Sequence, residues 1–250
     1  MSGSPGHAWL WKGAISLVAL LVAVPALAYA IASPGSVTPL AAGTFQATEA
    51  FTFLFLAIGP SHVIAGFANT TAGRDRRFKT RLALYGTLAA ALAIAIAATI
   101  GVRFLQKWHL SIAALAFAAG LLLLLVALNQ LLGHRKGGQT TQPAPDAPPP
   151  TALELAFSPL AVPIIIPPFG MAVVILLLAL AQQHGAMSTM ISLVVIMLVL
   201  DFLAMMATDL IVRISVLRYA VMLLQTMMSV LQVALAVQTI ATAMRDLNVS

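Results

Sequence analysis

Seven stretches of this chain run for roughly twenty residues with almost no polar interruption: 14–32, 45–68, 82–102, 110–132, 155–181, 187–212 and 219–243. Apolar and polar positions do not alternate with a period of two inside them, which predicts spanning helices rather than barrel strands. Two of the stretches are interrupted. FTFLFLAIGPSHVIAGFA carries Gly59 and Pro60, and LAFSPLAVPIIIPPFGMAVVILLLALA carries Pro159, Pro163, Pro167, Pro168 and Gly170. Proline lacks the backbone donor and clashes with the preceding turn, so a helix bends or opens there. In lipid such a break is tolerated only where protein or a water-filled cavity satisfies the freed carbonyls. Two broken segments, each opening one half of a chain, point to a secondary transporter built from repeats.

Composition agrees with the segment pattern. The chain is 61% hydrophobic and 8% charged, against about 25% charged for a soluble domain, which makes it a polytopic membrane protein in contact with lipid. The absence of cysteine excludes disulfides and thiolate chemistry. A pI near 10.3 would suit nucleic acid, but the basic residues collect in short loops, so no nucleic-acid partner is expected. The loop GRDRRFKTR holds Arg74, Arg76, Arg77, Lys79 and Arg81 and is expected in the cytoplasm. Alternating from there puts Lys12, Arg135, Lys136, Arg213 and Arg218 on the same side, with Arg103, Lys107 and Arg245 outside. Ten against three follows the positive-inside rule. The expected location is the cell inner membrane, with cytoplasmic loops at 70–81, 134–151 and 213–218.

Residues 1–43 read as a signal-like or signal-anchor segment with an external linker. Lys12, the apolar run from Ala14 and the PALAYA ending resemble a cleavable signal, yet the run is also long enough to span. Residues 134–151, HRKGGQTTQPAPDAPPPT with the last proline at 150 and Thr151 closing it, form a Gly/Pro-rich linker. The linker divides the body into 44–133 and 152–250, each with three spans. An odd number of spans per half forces opposite orientations, so any repeat is inverted. The expected fold is all-α: a polytopic helical bundle of two inverted three-helix repeats, with the first and fourth body spans broken.

Over residues 44–245 the chain resembles the MarC family of the LysE-type transporter superfamily. The resemblance rests on AIGPSHVIAGFANTTAG, LSIAALAFAAGLLLLLVALNQLL and LAFSPLAVPIIIPPFGMAVVI in that order. It implies transport of small neutral amino acids such as glycine and alanine. The chain departs from the family pattern at three places. Gly59 stands where the family has asparagine before Pro60. Pro167, Pro168 and Phe169, with Gly170 one place later, stand for a glycine–proline–glycine. Ile164, Ile165 and Ile166 replace small polar residues.

Candidate substrate-binding residues are Gly59, Pro60, Ser61 and His62 at the first break, Pro167, Pro168 and Gly170 at the second, and Asp201. A broken helix offers N–H groups at one end and carbonyls at the other, which suit the carboxylate and ammonium of an amino acid; a kink that serves packing alone is the plainer reading. His62 can relay a proton or bond a solute, or simply bond a carbonyl freed by Pro60. Asp201, in LVLDFLAMM, can bind an amine, carry a coupling proton or be structural. Asp209 sits one turn before Arg213, the spacing of a local ion pair, and Glu49 reads as a snorkelling group near the outer mouth. Asn129 and Gln130 either bond between helices or end their span. Gln225, Ser229, Gln232 and Thr239 fall on one face of the last span, suited to a pathway, interhelical bonding or a homo-oligomer contact.

No enzymatic motif accompanies these residues. G-x-S-x-G, the P-loop and H-E-x-x-H are absent, the histidines lack metal-ligand spacing, and neither cofactor nor metal is expected. The sequence therefore predicts a secondary transporter, an exporter or exchanger of a small solute, working by alternating access around two broken helices and driven by an ion gradient or exchange. A non-transporting scaffold or assembly factor is the alternative.

Overall fold

The computed structural model describes residues 46–133, 155, 160–161 and 164–249. The signal-or-span segment, the 134–151 linker, Pro159 and Pro163 lie outside the described residues. Among the described residues there are helices and no strands: α1 (Ala47–Ile58), α2 (Pro60–Thr70), α3 (Arg76–Lys107), α4 (Ile112–Gly133), α5 (Pro168–Gln183), α6 (Met187–Arg213) and α7 (Ser215–Val249). Both predicted breaks are present. The first falls at Gly59, between α1 and α2. The second follows π-type backbone at Leu160, Ala161, Ile164 and Ile165, where the Ile166 N–H donates to the Ala161 carbonyl five residues back, and α5 then starts at Pro168.

Each restart uses proline in the one helical position that tolerates it. Pro60 and Pro168 open α2 and α5, where the missing N–H has no intrahelical acceptor to serve and φ is already helical. The continuous helices α3, α4, α6 and α7 are long and apolar enough to cross a membrane, as is the α1–α2 pair taken together. At 32 and 35 residues, α3 and α7 reach about 48 and 52 Å at 1.5 Å per residue. They therefore tilt or project beyond a hydrocarbon layer of about 30 Å.

The broken spans occupy the centre. Leu54–Pro60 and most of α5 are buried, while α3, α4, α6 and α7 turn large apolar side chains outward: Leu88, Leu92, Ile96 and Ile100 on α3 form one such stripe. That inversion of a soluble surface is what a lipid solvent selects. Trp108 and Tyr219, both 63% exposed, lie at opposite ends of the bundle, where amphipathic rings favour the interface.

The strongest packing runs between the chain's two halves. α4 lies along α7, α3 contacts α5 and α6, and α6 packs against α1 and α2. With no hydrophobic drive between helices in lipid, close approach depends on small residues. Gly120 of α4 meets Ala236 and Ile240 of α7, where a Cβ on Gly120 would sit 2.8 Å from Ile240 Cγ1, and Ala116 and Ala127 of α4 and Ala243 of α7 are buried.

Glycines also make room for two of the three bulky isoleucines of the fourth span. A Cβ on Gly66 of α2 would come within 2.7 Å of Ile164 Cγ2, and one on Gly86 of α3 within 2.4 Å of Leu160 Cδ2 and 3.4 Å of Ile165 Cδ1. The side chains before the second break thus fill notches cut into α2 and α3. One local expectation is corrected. Asp209 pairs with Lys79 rather than with Arg213, because α3 packs on α6 and brings Lys79 from its first turns alongside.

Candidate functional site

The two breaks meet inside the bundle. The C-terminal end of α1 abuts the first turn of α5: a Cβ on Gly170 would lie 2.5 Å from Ile58 Cγ2 and 3.1 Å from the Ala57 carbonyl oxygen. Only glycine permits that approach. The contact sets the negative end of the α1 dipole against the positive end of α5, a favourable arrangement in a low-dielectric interior. On the other side of the first break, His62 of α2 meets the Phe169 ring of α5 edge-on, with ring centroids 6.4 Å apart.

Gly59 is required by space rather than by dihedral angle. Its φ of −78° and ψ of 167° are ordinary extended values. A Cβ there would nevertheless fall 2.0 Å from the Phe55 carbonyl oxygen and 2.9 Å from its carbon. The family-pattern asparagine that the sequence lacks at this position would not fit this form of the break.

Pro60 withholds the N–H that would have bonded the Leu56 carbonyl. Two side chains replace it. His62 Nε2 lies 3.2 Å from Leu56 O, and the Gln232 side-chain amide of α7 donates to the same oxygen. Gln232 Nε2 is also 3.1 Å from His62 Nε2. The amide has two hydrogens, enough for Leu56 O and, when His62 is protonated on Nδ1, for the ring nitrogen as well. With the proton on Nε2 instead, the ring itself donates to Leu56 O, the role the plainer reading of the sequence gave it, beside the Gln232 amide. The polar face of α7 is directed inward, with Ser229, Gln232 and Thr239 all buried.

The rest of the junction is apolar and tightly filled: Ile58, Ile165, Ile166 and Phe169 are each at most 1% exposed. Gly59 and Pro60 are buried with them, Pro167 is half-buried and Pro168 is exposed. Ser61 lies in the first turn of α2. Asp201 lies on the inward face of α6, fully buried, and neither carboxylate oxygen has a hydrogen-bond partner among the described residues. A cleft of about 490 Å³ lies away from the breaks, lined by Val102, Leu105, His109, Leu110, Ala179, Gln182 and neighbours.

Gln232 was legible only as one member of a polar stripe. Nothing in its local sequence names Leu56 as its partner, since that pairing depends on α7 reaching the first break.

The bundle, with two interrupted helices crossing at its centre and apolar flanks outside, defines a polytopic integral membrane protein. The family model of the MarC family integral membrane proteins matches residues 45–247, and the chain belongs to that family. Comparison with curated proteins gives no match, and comparison with solved structures gives none.

Proposed function

We propose that this protein is a secondary transporter of a small solute, working by alternating access around the two broken helices. One observation carries the reading: both breaks lie in the bundle interior and touch through Gly170, Ala57 and Ile58. Half-helix ends that meet away from lipid can part without exposing backbone to hydrocarbon, which continuous lipid-facing helices cannot do. The proposed site comprises Gly59, Pro60, Ser61, His62, Pro167, Pro168 and Gly170, with Asp201 on the neighbouring helix. The solute class is a small neutral amino acid, as the family resemblance implies, and the filled junction corresponds to an occluded form. The proposed setting is the inner membrane, with the loops 70–81, 134–151 and 213–218 on the cytoplasmic side.

A scaffold or assembly role is the second reading. It is favoured by the apolar fill of Ile58, Ile165, Ile166 and Phe169 and by the freed carbonyl already having side-chain donors. Flux of a labelled metabolite panel across proteoliposomes separates the two. Saturable uptake or efflux of a small amino acid supports the transporter. No flux of any solute, from protein shown to be folded and inserted in both orientations, supports the scaffold.

A further inference from the structure

Asp201 continues the inward face of α6 that Met190, Val194, Met197, Leu198, Ala204 and Met205 otherwise fill with apolar atoms. One turn further on, Ala204 shares a small apolar cluster with Ile64 of α2. The packed helices α2 and α6 run in the same direction if each span crosses the membrane once, and both rise 1.5 Å per residue. Asp201 lies near the middle of Met187–Arg213 and Gly59 near the middle of the Ala47–Thr70 span, which puts the carboxyl at about the depth of the first break. The orphaned side-chain atoms among the described residues are three acceptor oxygens: both of Asp201 and Oε1 of Gln232. Gln232 is itself bonded at that break.

A buried carboxylate without partners is not stable as an anion in a low-dielectric interior. Protein donors do not supply the missing charge. Glu49, near the outer end, is the titratable residue of α1, and α5 has none. Those of α3 and α7 lie toward the helix ends, Tyr85 in the third turn of α3 being 41% exposed and Lys79 already paired to Asp209. His62 of α2 is the titratable group at the same depth, and its Nε2 is engaged with Leu56 and Gln232. No group of three His, Asp or Glu ligands occurs among the described residues, so a divalent ion lacks its usual oxygen cage.

We propose that Asp201 is a binding site for a single positive charge, a proton or a sodium-sized cation, held beside the first break. On the transport reading it is the coupling-ion site; the binding itself does not depend on that reading.

The test uses thermal midpoints of the purified full chain in detergent. Wild type, Asp201→Asn and Asp201→Leu are compared in choline, potassium and sodium chloride at fixed pH, and across pH at fixed salt. A His62→Gln background removes the other titratable group at that depth. A cation bound by the folded state raises the wild-type midpoint by mass action, by roughly 5 °C at a hundredfold excess over Kd; both Asp201 variants should lose the rise. A proton-only site shows no salt specificity. Its wild-type midpoint falls as protons are withdrawn, because the folded state holds one more than the unfolded chain, and the variants stay flat. Midpoints that respond to salt and pH identically in wild type and both variants overturn the proposal. Asp201-dependent binding without flux of any solute would keep the site and defeat the transport reading.

Discussion

Gln232, in the middle of α7, donates its side-chain amide to the carbonyl oxygen of Leu56, the acceptor that Pro60 leaves without its helical donor. A span of the second half thereby completes the backbone bonding of a break in the first. Buried backbone acceptors need such partners, and in lipid no bulk water offers an alternative.

Replacing Gln232 by leucine keeps the volume and removes the donor. The expected loss is roughly 1–3 kcal/mol, the cost of leaving a buried polar group short of a partner. It should appear as a lowered thermal midpoint in detergent. Combined with His62→Ala the losses should not add, because both side chains serve one oxygen. An unchanged midpoint for Gln232→Leu would mean that Leu56 O is satisfied some other way.

Gly59→Ala should be among the most damaging single changes in the chain, at more than about 4 kcal/mol or outright loss of folded protein. The added carbon meets backbone, at 2.0 Å from Phe55 O, and backbone cannot rotate aside. Gly185→Ala is the comparison. Its φ of +66° disfavours a side chain but its surroundings are open, so the cost should stay near 1–2 kcal/mol. Equal yields and midpoints for the two variants would contradict this account of the break.

The positions of both breaks were legible because proline has no donor, a property that tertiary context cannot override. The order of the spans was legible because a lipid solvent demands long apolar runs. The partners across the bundle were not. Asp209 has Arg213 at helical spacing in its own sequence, yet bonds Lys79 because α3 packs beside α6. Ile164 and Ile165 read as an apolar replacement of a polar motif, and nothing in their own segment indicates that Gly66 and Gly86 leave room for them and Leu160. Pairings between residues far apart in sequence follow from how spans cross, which local composition does not encode.

The Lys79–Asp209 pair should contribute little. Asp209 is 59% exposed, and ion pairs open to solvent are typically worth below about 1 kcal/mol. Asp209→Asn should therefore shift the thermal midpoint only slightly. A large loss would show that this contact, rather than apolar packing, holds α3 to α6.

Single cysteines placed in this cysteine-free chain report sidedness. Substitutions at Asp75 and Arg213 should react with an impermeant thiol reagent from one face of the membrane, and those at His109 and His184 from the other. Labelling of positions 75 and 213 from opposite faces would break the alternation of spans on which the inverted halves depend.

The meeting of the two breaks is tested most directly by cross-linking Ile58→Cys to Gly170→Cys. A Cβ at position 170 lies 2.5 Å from Ile58 Cγ2, one carbon–carbon bond from the Ile58 Cβ. The two Cβ atoms can then be no more than about 4 Å apart, within the range a disulfide spans. Exchanging isoleucine for cysteine also removes the methyl that the new side chain would strike. Mild oxidation of the folded double variant in membranes should join the two positions, seen after cleavage between them as fragments held together until a reductant is added. A folded double variant that forms no such bond, although both of its cysteines react with a small thiol reagent, would contradict the meeting of the breaks and the mechanism built on it.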